Sequence, residues 1–135
     1  MWDAIGGSSC AAAFTQWAAV EAFDGPESEV AVRHMVAEFH HRRDRIVDLL
    51  NDIPGFDCAR PAGAFYVFPD ITATGFSDRE LAASLLDEVG VAVLPGQSFG
   101  PEGKGHIRLS YAASIDNLEE AARRIAQYIG SAVPG

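Results

Sequence analysis

The spacing of apolar positions changes along the chain, and each change predicts an element. From Ser9 to Phe23, alanines and aromatics run without Gly or Pro, which predicts a helix. Gly25-Pro26 breaks it. Pro26 suits the first turn of a second helix, where its missing N–H is an orphan anyway. That helix is long, from about Pro26 to Asn51: Val32, Met35, Val36, Phe39, Ile46 and Leu50 form one stripe at helical spacing. His40, Arg42, Arg43, Asp44 and Asp48 are assigned to its outer face, with Arg43 interrupting the stripe near its middle. Pro54-Gly55 ends the element.

Gly63-Ala64-Phe65-Tyr66-Val67-Phe68-Pro69 is an aromatic and β-branched run between Gly and Pro, which predicts a strand. Ser77-Asp78-Arg79-Glu80 is a capping box that opens a helix with Leu81, Leu85, Leu86 and Val89 inward, and Gly90 suits a left-handed end. Val91 to Leu94 predicts a short strand, and Pro95 to Gly105, rich in Gly and Pro, a flexible loop. From His106 to Ala112, Ile107, Leu109 and Tyr111 alternate with His106, Arg108 and Ser110, so one face of a strand is apolar and the other polar. Leu118, Ala121, Ala122, Ile125 and Ile129 complete the pattern with an amphipathic helix, capped by Ser114 and closed by Gly130. This order predicts an α+β two-layer domain: a small, mostly antiparallel sheet of about three strands with helices on one face. The first helix has no strand partner in the chain and reads as part of another domain.

Length and composition fit one globular domain of 135 residues, 48% hydrophobic. The formal net charge of −9 disfavours nucleic acid and membrane surfaces as partners. Cys10 and Cys58 stand in no metal-ligand spacing and read as reduced thiols, which suits a cytoplasmic protein. No apolar run is long enough to span a bilayer, and Met1-Trp2-Asp3 is not the opening of a signal peptide.

Arg108 is the first candidate for chemistry. A guanidinium in mid-strand between Ile107 and Leu109 needs an anion. Its planar fork matches a carboxylate, supplied either by an internal acidic residue or by a ligand. The loop Pro95-Gly96-Gln97-Ser98-Phe99-Gly100 leads into the same strand and is either site lining or plain connection. Lys104, the chain's one lysine, stands in the glycine turn Gly103-Lys104-Gly105, where nothing would desolvate or crowd it for imine chemistry. His34 and His41 share a helix face without a third metal ligand, and Asp70 has no evident acid–base partner. No phosphate-binding glycine loop and no nucleophile elbow are present. No catalytic, metal or cofactor residue is assigned on this basis.

Three ordered blocks carry a family resemblance. Arg60-Pro61-Ala62-Gly63-Ala64-Phe65-Tyr66-Val67-Phe68-Pro69-Asp70-Ile71, Gly90-Val91-Ala92-Val93-Leu94-Pro95-Gly96 and Gly105-His106-Ile107-Arg108-Leu109-Ser110-Tyr111-Ala112 resemble the C-terminal domain of class I aminotransferases. The prokaryotic aspartate aminotransferase type is the nearest likeness, and Arg42-Arg43-Asp44 on the long helix fits it too. The resemblance implies an enzyme that binds pyridoxal phosphate in a large N-terminal domain, as an imine with a lysine, and moves an amino group from an amino acid to a 2-oxo acid. It gives Arg108 the substrate α-carboxylate and places Phe65, Ser98 and Phe99 near the pocket.

The same likeness makes residues 1–25 the remnant of the large domain's edge and 26–135 the small domain, entered by a long connecting helix. Gly7 to Gln16 looks like a diverged Thr-Ser-Asn-Pro stretch without its Asn and Pro. The family's lysine lies upstream of the part matched. The chain is therefore expected to be inactive alone, to bind the cofactor poorly, and to be a truncation, a dissected domain or one part of a split enzyme. Association with itself or with a missing large domain follows from its apolar helices. The other readings are a non-catalytic carboxylate- or partner-binding domain, and a piece of a lyase or synthase on the same fold.

Overall fold

The computed structural model describes residues 11–132. The chain divides into two compact units, Met1–Ala37 and Glu38–Gly135, and each is described by itself.

The first unit holds α1 (Ala13–Asp24) and the start of α2 (Ser28–Asn51). The expected start of the first helix, Ser9, lies outside the described residues, as do Cys10 and the stretch before it. α1 buries none of its residues: Trp17 is 75% and Phe23 88% exposed. Pro26 does not sit in the first turn of α2. Ser28 N–H donates to the Gly25 carbonyl at 3.1 Å, so Pro26 occupies the second position of a β-turn, where its fixed φ is equally at home. Val32, Met35 and Val36 are about half exposed.

In the second unit α2 buries Ile46, Val47 and Leu50. The sheet has the order β1-β3-β2 and is antiparallel throughout. β1 (Tyr66–Val67) pairs Tyr66 with Ser110, and β2 (Leu94–Pro95) pairs Leu94 with Arg108, both against β3 (Ile107–Ser110). Ile107, Leu109, Tyr111 and Val67 point into a core shared with α2, α3 (Asp78–Val89) and α4 (Ile115–Ala132). The fold is the α+β arrangement that the alternation along β3 predicts.

Several elements are shorter or differently placed than their patterns suggest. β1 is two residues because Ala64 takes a positive φ of 60°, which breaks the extended run at 63–65. Single bonds still flank the pair, from Tyr111 N–H to the Phe65 carbonyl and from Ile107 N–H to the Pro69 carbonyl. The strand expected at 91–94 is confined to Leu94–Pro95, since Val91 N–H is used to close α3 on the Leu85 carbonyl at 2.9 Å. Leu86 is 54% exposed: it lies off the stripe of Leu81, Ala82 and Leu85. The capping box of Ser77 and Glu80 forms as expected, and Gly90 ends α3 in the left-handed region. Ser114 caps α4 by accepting from Asn117 N–H, but Gly130 does not close that helix, which runs on to Ala132.

Residues 95–105 are not an open loop. They fold as two 3-10 turns, Gly96–Phe99 and Pro101–Gly103. Their backbones lie so close that a Cβ on Gly96 would fall 2.1 Å from the Gly103 carbonyl oxygen. That contact, invisible to composition, fixes the segment in front of β3.

Candidate functional site

Alternation along β3 puts Arg108 on the sheet face opposite the core. Its guanidinium carbon lies 4.3 Å from the ring centre of Tyr66 and 4.0 Å from that of Phe99. Tyr66 comes from the neighbouring strand, diagonal to Arg108 in the register, and Phe99 from the end of the first 3-10 turn. Each ring attracts the cation. Among the described residues no carboxylate pairs with Arg108. Its side chain lines a cleft of about 200 Å³ with Tyr66, Ala92, Val93, Leu94 and Ser110.

The aromatic set continues on both sides. Phe65 lies 4.4 Å from Tyr66 and 6.3 Å from Phe39 between ring centres. Phe99 meets Phe68 edge-on at 6.2 Å, and Phe68 stacks on His106 at 5.1 Å. Of the residues proposed from sequence, Arg108 and Phe99 are brought into contact. Phe65 stands one ring further out, behind Tyr66. Ser98 is exposed and does not line the cleft. Tyr66 escaped sequence reasoning, although its position beside the inward-facing Val67 marks it as outward-facing.

The surrounding charges are structural. Asp70 accepts from the Thr72 hydroxyl and N–H at 2.6 and 2.7 Å, and these bonds, with the charge of His106, hold its carboxyl below the usual value. Asp44 binds Arg43 at 2.8 Å and lies 3.5 Å from Arg60, while Arg43 also donates to the Pro61 carbonyl. This network secures the segment that leads to Gly63-Ala64-Phe65. Lys104 is exposed, as are His34 and His41, and no metal-binding group of His, Cys, Asp or Glu exists among the described residues. Cys58 is a buried free thiol, while Cys10 lies outside the described residues. No helix among the described residues is long and apolar enough to cross a membrane.

The same overall fold occurs in solved aminotransferases. An aromatic aminotransferase from Pyrococcus horikoshii superposes with a TM-score of 0.88 at 36% identity, over 95% of this chain and 34% of that one. The aspartate aminotransferase from Rhizobium meliloti gives 0.83 at 35% identity, over 93% and 33%. The chain belongs to the aminotransferase class I and II family, whose sequence model matches residues 3–125. Its relatives include an aspartate aminotransferase of Pyrococcus horikoshii, 44% identical over 84% of this chain and 29% of the relative. An aromatic-amino-acid aminotransferase of Thermococcus litoralis is 39% identical over 87% and 30%. The chain thus spans about 30% of the length of the curated relatives it matches.

Proposed function

We propose that the chain is the small domain of an aminotransferase, residues 26–135, preceded by an edge of the large domain at 1–25. In the intact enzyme it holds the α-carboxylate of the amino acid or 2-oxo acid through Arg108. The observation that carries this reading is the state of that guanidinium. Two rings lie against it and no acidic side chain of the described residues pairs with it. Its N–H donors fit a planar anion bound by two parallel bonds. Arg108→Lys keeps the charge but loses the fork. A 2-oxo acid titrated into the chain and followed by NMR should shift the Arg108 side-chain signals. The Arg108→Lys variant should bind at least about tenfold more weakly, the loss of one charge-assisted hydrogen bond. Equal affinity would remove the reading.

Pyridoxal phosphate is the cofactor that the family implies. The residues of this chain do not fit it: Lys104 is the only lysine, and it is exposed in a glycine turn. We therefore expect the chain alone to leave the cofactor free and to be inactive. Cofactor fixed covalently to Lys104 after borohydride treatment would overturn this.

A second reading is favoured by α1. An apolar helix with every residue exposed is suited to burial against a further chain, either another copy or one carrying a large domain. Sedimentation should show association that Trp17→Glu weakens. A monomer at high concentration would sink the idea.

A further inference from the structure

Asp78, the first residue of α3, is 1% exposed and has no cationic partner among the described residues. Both of its oxygens are directed at one residue: Gln97 N–H donates to Oδ2 at 2.9 Å and Gln97 Nε2 to Oδ1 at 3.0 Å. A carboxylate is expensive to bury, and an apolar side chain of similar size would pack there without that penalty. The first turn of a helix, with its free amides, is where such a charge is most tolerable.

Gln97 lies two residues before Phe99 in the same single turn. Two backbone hydrogen bonds bound that turn. Gly96 N–H donates to the His106 carbonyl at its start, and Gly100 N–H to the Gln97 carbonyl at its end. Among the described residues, Asp78 is the one side chain from outside the turn that hydrogen-bonds to it. From these contacts we infer that Asp78 is a positioning residue for Arg108: through Gln97 it sets the turn so that Phe99 lies against the guanidinium that would take a carboxylate. The binding role of Arg108 rests on the function proposed above, whereas the placement of Phe99 does not.

The test separates the two. A ring held 4.0 Å from the guanidinium displaces the Arg108 side-chain protons upfield in the NMR spectrum. In Asp78→Leu neither oxygen remains to accept from Gln97, so both bonds are lost. We expect the Phe99 share of the displacement to disappear while the Tyr66 share and the methyl signals of Leu81, Leu85 and Ile125 stay in place. In Asp78→Asn the Gln97 amide can turn its Oε1 to accept from the new Nδ2–H while the Asn Oδ1 keeps the Gln97 N–H, so this variant should restore the displacement. An effect of the buried charge alone would not return in the neutral amide. Gln97→Met, which leaves Asp78 in place, gives the same sign with a smaller change should Asp78→Leu fail to fold. Titration with a 2-oxo acid should weaken by about tenfold in Asp78→Leu and recover in Asp78→Asn. An unchanged Phe99–Arg108 contact in Asp78→Leu and Gln97→Met overturns the inference. Absence of any binding to the unaltered chain overturns the proposed function instead, with the ring-shift comparison still deciding the role of Asp78.

Discussion

The Tyr111 hydroxyl donates to the carbonyl of Ala64 at 2.8 Å, across 47 positions of chain. Tyr111 is 2% exposed and continues the inward face of β3, while Ala64 is the one non-glycine residue with positive φ among the described residues. The bond therefore fixes the bend from which Tyr66 reaches Arg108. Removing the hydroxyl in Tyr111→Phe should lower stability by about 1 kcal/mol, the net worth of one hydrogen bond. Ala64→Gly should lie within about 0.5 kcal/mol of the parent, because the relief of left-handed strain and the added freedom of the unfolded chain oppose each other. Urea unfolding measures both, and a large loss in Ala64→Gly would show that the bend is not strained.

Gly96 and Gly103 touch through their backbones, with no flexible side chain to yield. Gly96→Ala should destabilise the chain by about 2–3 kcal/mol, and the turn should shift before the core does. Thermal unfolding gives the first quantity. Loss of the Arg108 ring shift at temperatures where the core is intact gives the second, and an alanine accepted without cost would contradict the close approach.

Burial raises the Cys58 thiol from 9.0 to about 11, with the charge of Asp57 adding to it. The folded state thus favours the neutral thiol. Its contribution to stability is complete below the thiol's unfolded value and is lost as pH rises through about 11. Alkylation of Cys58 at neutral pH should follow unfolding, while peptide mapping separates it from Cys10. Glu120 works at the other end of the scale: bonds from Arg123 and then Arg124 lower its carboxyl from 4.5 to about 2. This contribution is present above the ordinary glutamate range and is lost as pH falls through about 2. Glu120→Gln should flatten the acid limb of the pH–stability curve and leave the alkaline limb unchanged.

The parts legible in the sequence were those written in local spacing. Alternation at Ile107, Leu109 and Tyr111 set the inward face of β3 and so the outward one of Arg108. The three-residue step from Ser77 to Glu80 set the start of α3. What stayed hidden depended on distant partners. Gly and Pro between 95 and 105 read as flexibility because the packing of Gly96 on Gly103 leaves no mark in composition. Asp78 read as one member of a cap, while its bonds go to a residue nineteen positions on. Tyr66 was hidden by register, which no single strand reveals.

The buried residues of α2, Ile46, Val47 and Leu50, are all in its last two turns. Backbone hydrogen bonds of a helix open as readily as the side chains around them permit. Amide protons near Val30 should therefore trade with deuterium in water early, and those near Leu50 only when the core opens. Exchange rates along α2 would then grade from one end to the other, so that a single secondary structure records where the interior begins.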